Sequence, residues 1–271
     1  MRKHVTMALL GAAVMLACSA YAVPVTGPGT INWRGVDWTV DANATANVDV
    51  YGNLHITVGG DTGDPGADNW NLHADLVNQI GYTASDYEQG VWFEFSFLDD
   101  GLQPIGNDEW EYGGGPRAYL DTWENGYEYF FQGGMYDGYT DYYVNHNAYR
   151  SSDGTWPYND WPLPGADGAP RVEGEHTFRV MLQSDGSGRN AWMWYDGELV
   201  ATYYSADGES GDFLPMVFET AYLGVTSHGT EPGSPAYGVY TDFRHGVVPE
   251  PASLSLLALG IAGMVVRRFT R

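Results

Sequence analysis

Cysteine is nearly missing from this sequence. Cys18 is the only one in 271 residues, so no internal disulfide can brace the fold and stability must come from a packed core, with bound ions as the remaining aid. Basic residues are scarce as well. Twelve stand against 35 acids, a formal charge of −23. So acidic a surface repels nucleic-acid phosphates and anionic lipid headgroups, whose capture needs clustered Lys and Arg. Nucleic acid is therefore a poor partner, whereas neutral polysaccharides, cationic partners and divalent cations stay available. There is no Ser-His-Asp elbow, no phosphate loop and no His/Cys zinc spacing. No repeat of fixed period is visible. Disorder does not fit either, because 44% of the residues are hydrophobic and 15% aromatic, ample material for a core.

Apolar runs are short and sit at the two ends. Arg2 and Lys3, the run Val5 to Ala17, and Ala20-Tyr21-Ala22 follow the charged, greasy, small-x-small order of a secretory signal peptide, with cleavage expected after Ala22. The run is far below the roughly 20 residues that span a bilayer. A lipidated Cys18 is the rival outcome, although Met15-Leu16-Ala17 places leucine one position later than the usual lipobox.

At the other end, Ala252 to Val266 carries no charge, lies behind Pro249-Glu250-Pro251 and stops at Arg267 and Arg268, with Arg271 last. As a helix it reaches about 22 Å, against roughly 30 Å of hydrocarbon, so it spans only a thinned bilayer or with its arginines snorkelling. Those arginines favour the cytoplasm and leave the rest of the chain on the far side. The order of motif, short apolar helix and basic end resembles the PEP-CTERM sorting signal. That resemblance implies Sec export and transient anchoring in the inner membrane through the tail. It then implies recognition by an exosortase, cleavage near the motif, and release to the cell surface or an exopolysaccharide matrix. The expected organisation is a signal peptide over 1–22, one domain over 23–247, and a sorting tail over 248–271 with its apolar helix at about 252–266. Between the two signals, seven bases, all arginine, face 34 acids, giving −27.

Period-two alternation dominates this middle region, as strands with one buried face require. In Val91 to Leu98, Val91, Phe93, Phe95 and Phe97 share one face, opposite Trp92, Glu94, Ser96 and Leu98. The same pattern predicts strands at 47–58, 117–123, 126–131, 139–144, 176–183, 190–195, 199–204, 215–220, 222–226 and 237–244. Asp196-Gly197 between two such runs is a two-residue hairpin signal. Helix is almost absent; Asp75 to Ile80 is the nearest candidate and fits a strand equally. About a dozen short strands in one domain argue for a two-sheet sandwich. Gly174 to Val180 followed by Ala191 to Val200 resembles the strand, hairpin and "DG" turn of concanavalin A-like lectin and glucanase (LamG-like) domains. Gly52 to Val58 and Val239 to Arg244 resemble an early and the closing strand of that family. The expected fold is thus an all-β, antiparallel jelly-roll sandwich of two sheets, flanked by the signal helix and the short C-terminal membrane helix.

Glycosidases need two facing carboxyls. The glucanase resemblance implies a Glu-x-Asp-x-x-Glu strand, and here only Glu94 stands on the polar face of the Phe-rich strand. Glu109 and Glu111 lie in a glycine-flanked run that reads as loop, while Glu124 and Glu128 straddle the hairpin signal Asn125-Gly126. No catalytic residue is assigned. Scattered histidines, among them His55, His73, His146, His176 and His228, read as solvated or hydrogen-bonded. From Trp110 to Trp161 there are 16 aromatics in 52 residues. Such rings fill a core or, where exposed, stack on sugars beside hydroxyl-binding polar groups. Trp123, Tyr142, Trp156 and Trp161 are the candidates for that platform. Asp61, Asp64 and Asp68 on a glycine-rich loop are candidate ligands for Ca²⁺, although turn chemistry explains them as readily. The sequence thus points to an exported surface or matrix protein with a lectin-like domain for extracellular polysaccharide. A polysaccharide-active hydrolase or lyase and a purely structural matrix component are the alternatives.

Overall fold

The computed structural model describes residues 23–58, 71–99, 115–124, 126–135, 142–150, 152–163, 172–185, 188–206, 214–225 and 236–249. The expected leader, the loop with Asp61, Asp64 and Asp68, the run with Glu109 and Glu111, His228, and the tail from Glu250 through Pro251 to Arg267 and Arg268 lie outside them.

In chain order the elements are β1 (Val25–Thr26), β2 (Gly29–Trp33), β3 (Val36–Val40), β4 (Ala44–Val48), β5 (Leu54–Val58), β6 (Leu72–Asp75), α1 (Leu76–Gln79), α2 (Ala84–Gln89), β7 (Val91–Asp99), β8 (Pro116–Glu124), β9 (Tyr127–Met135), β10 (Tyr142–Arg150), β11 (Thr155–Leu163), β12 (Gly174–Asp185), β13 (Gly188–Tyr195), β14 (Glu198–Ala206), β15 (Thr220–Val225) and β16 (Ala236–Val247). They form two antiparallel sheets of eight strands each. The first runs β1-β4-β5-β16-β7-β12-β13-β14 and the second β11-β10-β9-β8-β15-β6-β3-β2. This is the expected all-β sandwich.

Alternation places the core. On β3, Val36, Trp38 and Val40 are buried while Asp37 and Thr39 between them are exposed. Phe93, Phe95 and Phe97 line the inner face of β7 with no measurable exposure. Phe95 stacks on Phe178 of β12 at 6.4 Å, and Phe93 meets Phe218 edge-on at 5.8 Å. The sheets approach closely where Gly133 of β9 faces Phe178, because a Cβ there would lie 2.4 Å from the ring. Tyr240 of β16 reaches from the first sheet into the second. Its hydroxyl accepts from the backbone N–H of Arg117 at 2.9 Å and of Gly224 at 3.1 Å, tying β8 to β15 inside the core.

Two expectations need correcting, and one open reading resolves. Residues 47–58 form two strands, β4 and β5, because the Asp49 carboxylate accepts from the N–H groups of Tyr51 and Asn53 and closes a turn there. Residues 215–219 form no strand, and only Thr220 joins β15. Asp75 ends β6 and caps α1, accepting from the Asn78 N–H, so the ambiguous segment is a single helical turn. A capping box between Thr83 and Asp86 opens α2, which periodicity cannot register in six residues. The Asp196-Gly197 turn is as predicted, with φ of 48° and 79° and Tyr195 paired to Glu198.

Candidate functional site

The second sheet carries Trp123 on β8, Tyr142 on β10, and Trp156 and Trp161 on β11, with β9 between β8 and β10. The Trp123 side chain is half exposed at the end of β8. The other three side chains lie outside the description. Among the described residues no three His, Cys, Asp or Glu groups gather as a metal site.

The register of β8, β9, β10 and β15 creates the densest polar arrangement, on the face of the second sheet turned away from the core. One row across the strands is Asn147, Phe130, Asp121 and Thr220; the next is Asn145, Gln132, Tyr119, Tyr222 and His73. Rings pave it: Phe130 and Tyr119 are 5.3 Å apart, Tyr119 and Tyr222 5.1 Å, Tyr222 and His73 6.0 Å. Tyr119 and Phe130 are buried yet stand apart from the hydrophobic core. Acceptors lie between them. Asp121, Asn145 and Asn147 are at most 5% exposed, and in each Oδ1 is buried without a hydrogen-bond partner among the described residues. Leaving such acceptors unmet costs stability, on the order of 1–3 kcal/mol each.

Burial and a neighbouring charge set the electrostatics here. Desolvation, reinforced by Glu128 and Glu219, pushes the Asp121 carboxyl up to about 7. Burial also raises Glu128, opposed by the hydroxyl of Tyr119, which donates to its Oε1 at 3.3 Å. Tyr222 is raised to about 12, chiefly by burial and then by Asp121 and Glu128. Glu124 and Glu128, a pair suggested by the hairpin signal, diverge. Glu128 pairs with Trp123 on the outward face, while Glu124 accepts from the Met216 N–H and lies 3.5 Å from Arg189. Asp121 is the partner that sequence reasoning missed, since only the β8-β9 register brings it beside Glu128.

Glu94, the other carboxylate noted in the sequence, sits on the outward face of the first sheet. Arg244, Glu94, Arg179 and Trp194 form one row across β16, β7, β12 and β13. The Glu94 carboxylate is 5% exposed and held between two guanidiniums, with Arg244 Nη2 at 2.5 Å and Arg179 Nε at 2.6 Å. A carboxylate so neutralised is unsuited to acid or nucleophilic work. The depression above the row measures about 480 Å³ and is also lined by Glu175 and Asp196. The described histidines are hydrogen-bonded or packed. His55 contacts Asp49, His176 contacts Asp196 and the Val172 carbonyl, and His146 stacks on Phe131 at 4.1 Å.

Residues 247–269 match the PEP-CTERM protein-sorting motif. The sequence matches no curated protein. Among solved structures, the chain is similar to an alginate lyase from Klebsiella pneumoniae, with 10% identity over 74% of this chain and 84% of that one and a TM-score of 0.44. It is also similar to a glycoside hydrolase family protein from Mycobacterium thermorestibile, at 18% identity over 83% and 92% with a TM-score of 0.44. For sheep galectin-11 the figures are 10%, 58%, 90% and 0.31.

Proposed function

We propose that this chain, which carries a PEP-CTERM sorting motif, is an exported surface or matrix protein whose sandwich holds extracellular polysaccharide. In this reading the leader over 1–22 is removed, residues 23–247 form one domain, and an exosortase processes the tail from 248 onward. The export half rests on the motif at 247–269, which indicates export and membrane-anchored processing before surface display. The binding half rests on one observation: the outward face of the second sheet interleaves rings with buried acceptors, the Oδ1 atoms of Asp121, Asn145 and Asn147, that have no partner among the described residues. Sugar hydroxyls supply the donors these acceptors lack, and C–H faces of pyranoses pack on the Tyr and Phe rings. The overall negative charge directs the choice toward neutral glycans. Affinity electrophoresis of the full chain through gels loaded with neutral polysaccharides tests this. Retardation that falls in Trp123→Ala and Asn147→Ala supports it; unchanged migration across a broad panel removes it.

A second reading, polysaccharide cleavage, is favoured by Asp121 and Glu128 on adjacent strands of one face. A carboxyl poised near 7 beside another carboxylate suits a general acid. Release of reducing ends from a polysaccharide that retards the chain, abolished in Asp121→Asn, would establish it. Binding without release leaves the non-catalytic role, and neither leaves a structural one. The calcium loop is tested separately: a melting temperature insensitive to chelator removes Ca²⁺ from the account.

A further inference from the structure

The depression on the opposite sheet holds a different set of unspent groups. The Arg244-Glu94-Arg179 clamp fixes both guanidiniums, yet among the described residues neither Nη1 has a partner: Arg179 spends Nε and Nη2 on Glu94, and Arg244 spends Nη2 on Glu94 and Nε on Asp242. Arg179 is locked further by the Trp92 ring, 5.0 Å from its Cζ. Glu175 accepts from the Thr241 hydroxyl at 2.5 Å through Oε1 and keeps its second oxygen. The half-buried Trp194 stands at the end of the row. Preorganised donors, a carboxylate acceptor and a flat ring therefore face one 480 Å³ space, within the range of about 300–1,000 Å³ typical of ligand sites. Two arginines against Glu94, Glu175 and Asp196 leave the lining close to neutral, which suits an uncharged, hydroxyl-rich ring.

We infer that this pocket, lined by Arg179, Arg244, Glu175 and Trp194, is a second sugar site that takes a neutral pyranose on the face opposite the polysaccharide ladder. Guanidinium N–H groups donate to ring and hydroxyl oxygens, Glu175 accepts a hydroxyl proton in a hydrogen bond, and the pyranose packs on the Trp194 indole. With both faces occupied, one chain bridges two glycan strands.

The test uses the full chain labelled with 5-fluorotryptophan, in a zwitterionic detergent free of sugar, with the Trp194 ¹⁹F resonance assigned from Trp194→Phe. Methyl glucoside, galactoside and mannoside are each titrated to roughly 100 mM, enough to saturate a site with a millimolar Kd. A saturable shift of the Trp194 resonance with at least one of them is expected. Arg179→Lys, which keeps the charge and loses the fork, should weaken it about tenfold. Glu175→Gln serves as the second variant if the Arg179 change disturbs the other tryptophan resonances. A Trp194 resonance unmoved by all three glycosides, or moved equally in both variants, overturns the proposal. Trp123 reports the other face in the same spectra. Loss of gel retardation with the Trp194 shift intact therefore counts only against the ladder, and the reverse only against this pocket.

Discussion

Replacing Asp121 by Asn should stabilise the protein at neutral and alkaline pH and do nothing in acid. The folded chain holds this carboxyl near 7 against an ordinary value of 3.8, because burial disfavours its charge and Glu128 and Glu219 add to the cost. A folded-state value above the unfolded one means that the native state binds more protons between those limits. The stability linked to Asp121 is therefore full below about pH 4 and drains as pH rises through 7. Roughly three pH units at about 1.36 kcal/mol each put the strain of the ionised form near 4 kcal/mol at pH 8. Asn keeps the shape and removes the charge, so the variant's advantage should grow from nearly zero at pH 4 to a few kcal/mol at pH 8. Urea unfolding of wild type and variant at whole pH steps measures it directly. A difference independent of pH, or one that grows toward acid, would refute the claim that this carboxyl is buried beside like charge.

Three further outcomes follow from packing and polar satisfaction. Tyr240→Phe removes the hydroxyl that serves two backbone N–H groups across the sheets and should cost about 1–3 kcal/mol in urea unfolding, with the m-value unchanged. Gly133→Ala drives a methyl into Phe178 and should cost about 1–3 kcal/mol, partly recovered by a second change, Phe178→Leu. Asn145→Leu removes an acceptor that has no partner among the described residues, so melting temperature should hold or rise while gel retardation by polysaccharide falls.

The fold was largely legible because period-two alternation survives wherever one sheet face is buried, as on β7, β12 and β13. Legibility failed where local chemistry interrupts a pattern: Asp49 folds the run 47–58 back on itself, and Thr83 and Asp86 nucleate a helix too short for periodicity. The candidate site was legible only in part. Aromatic density marked β8 to β11, where Trp123 stands half exposed. The ladder of Asp121, Asn145, Asn147 and Tyr119 was not foreseen, since its members come from two strands, β8 and β10, that meet only through their common pairing with β9. Glu94 was legible as a polar position but not as one clamped by two arginines, whose partners are set by the neighbouring strands β12 and β16.

The central claim is that glycan lies on the outward face of the second sheet. Hydrogen–deuterium exchange of the full chain, with and without extracellular polysaccharide from the producing cells, tests it most directly. The account predicts new protection on β8, β9 and β10, around Tyr119, Asp121, Phe130 and Asn145. Binding that leaves those strands exchanging as in the free protein would contradict it.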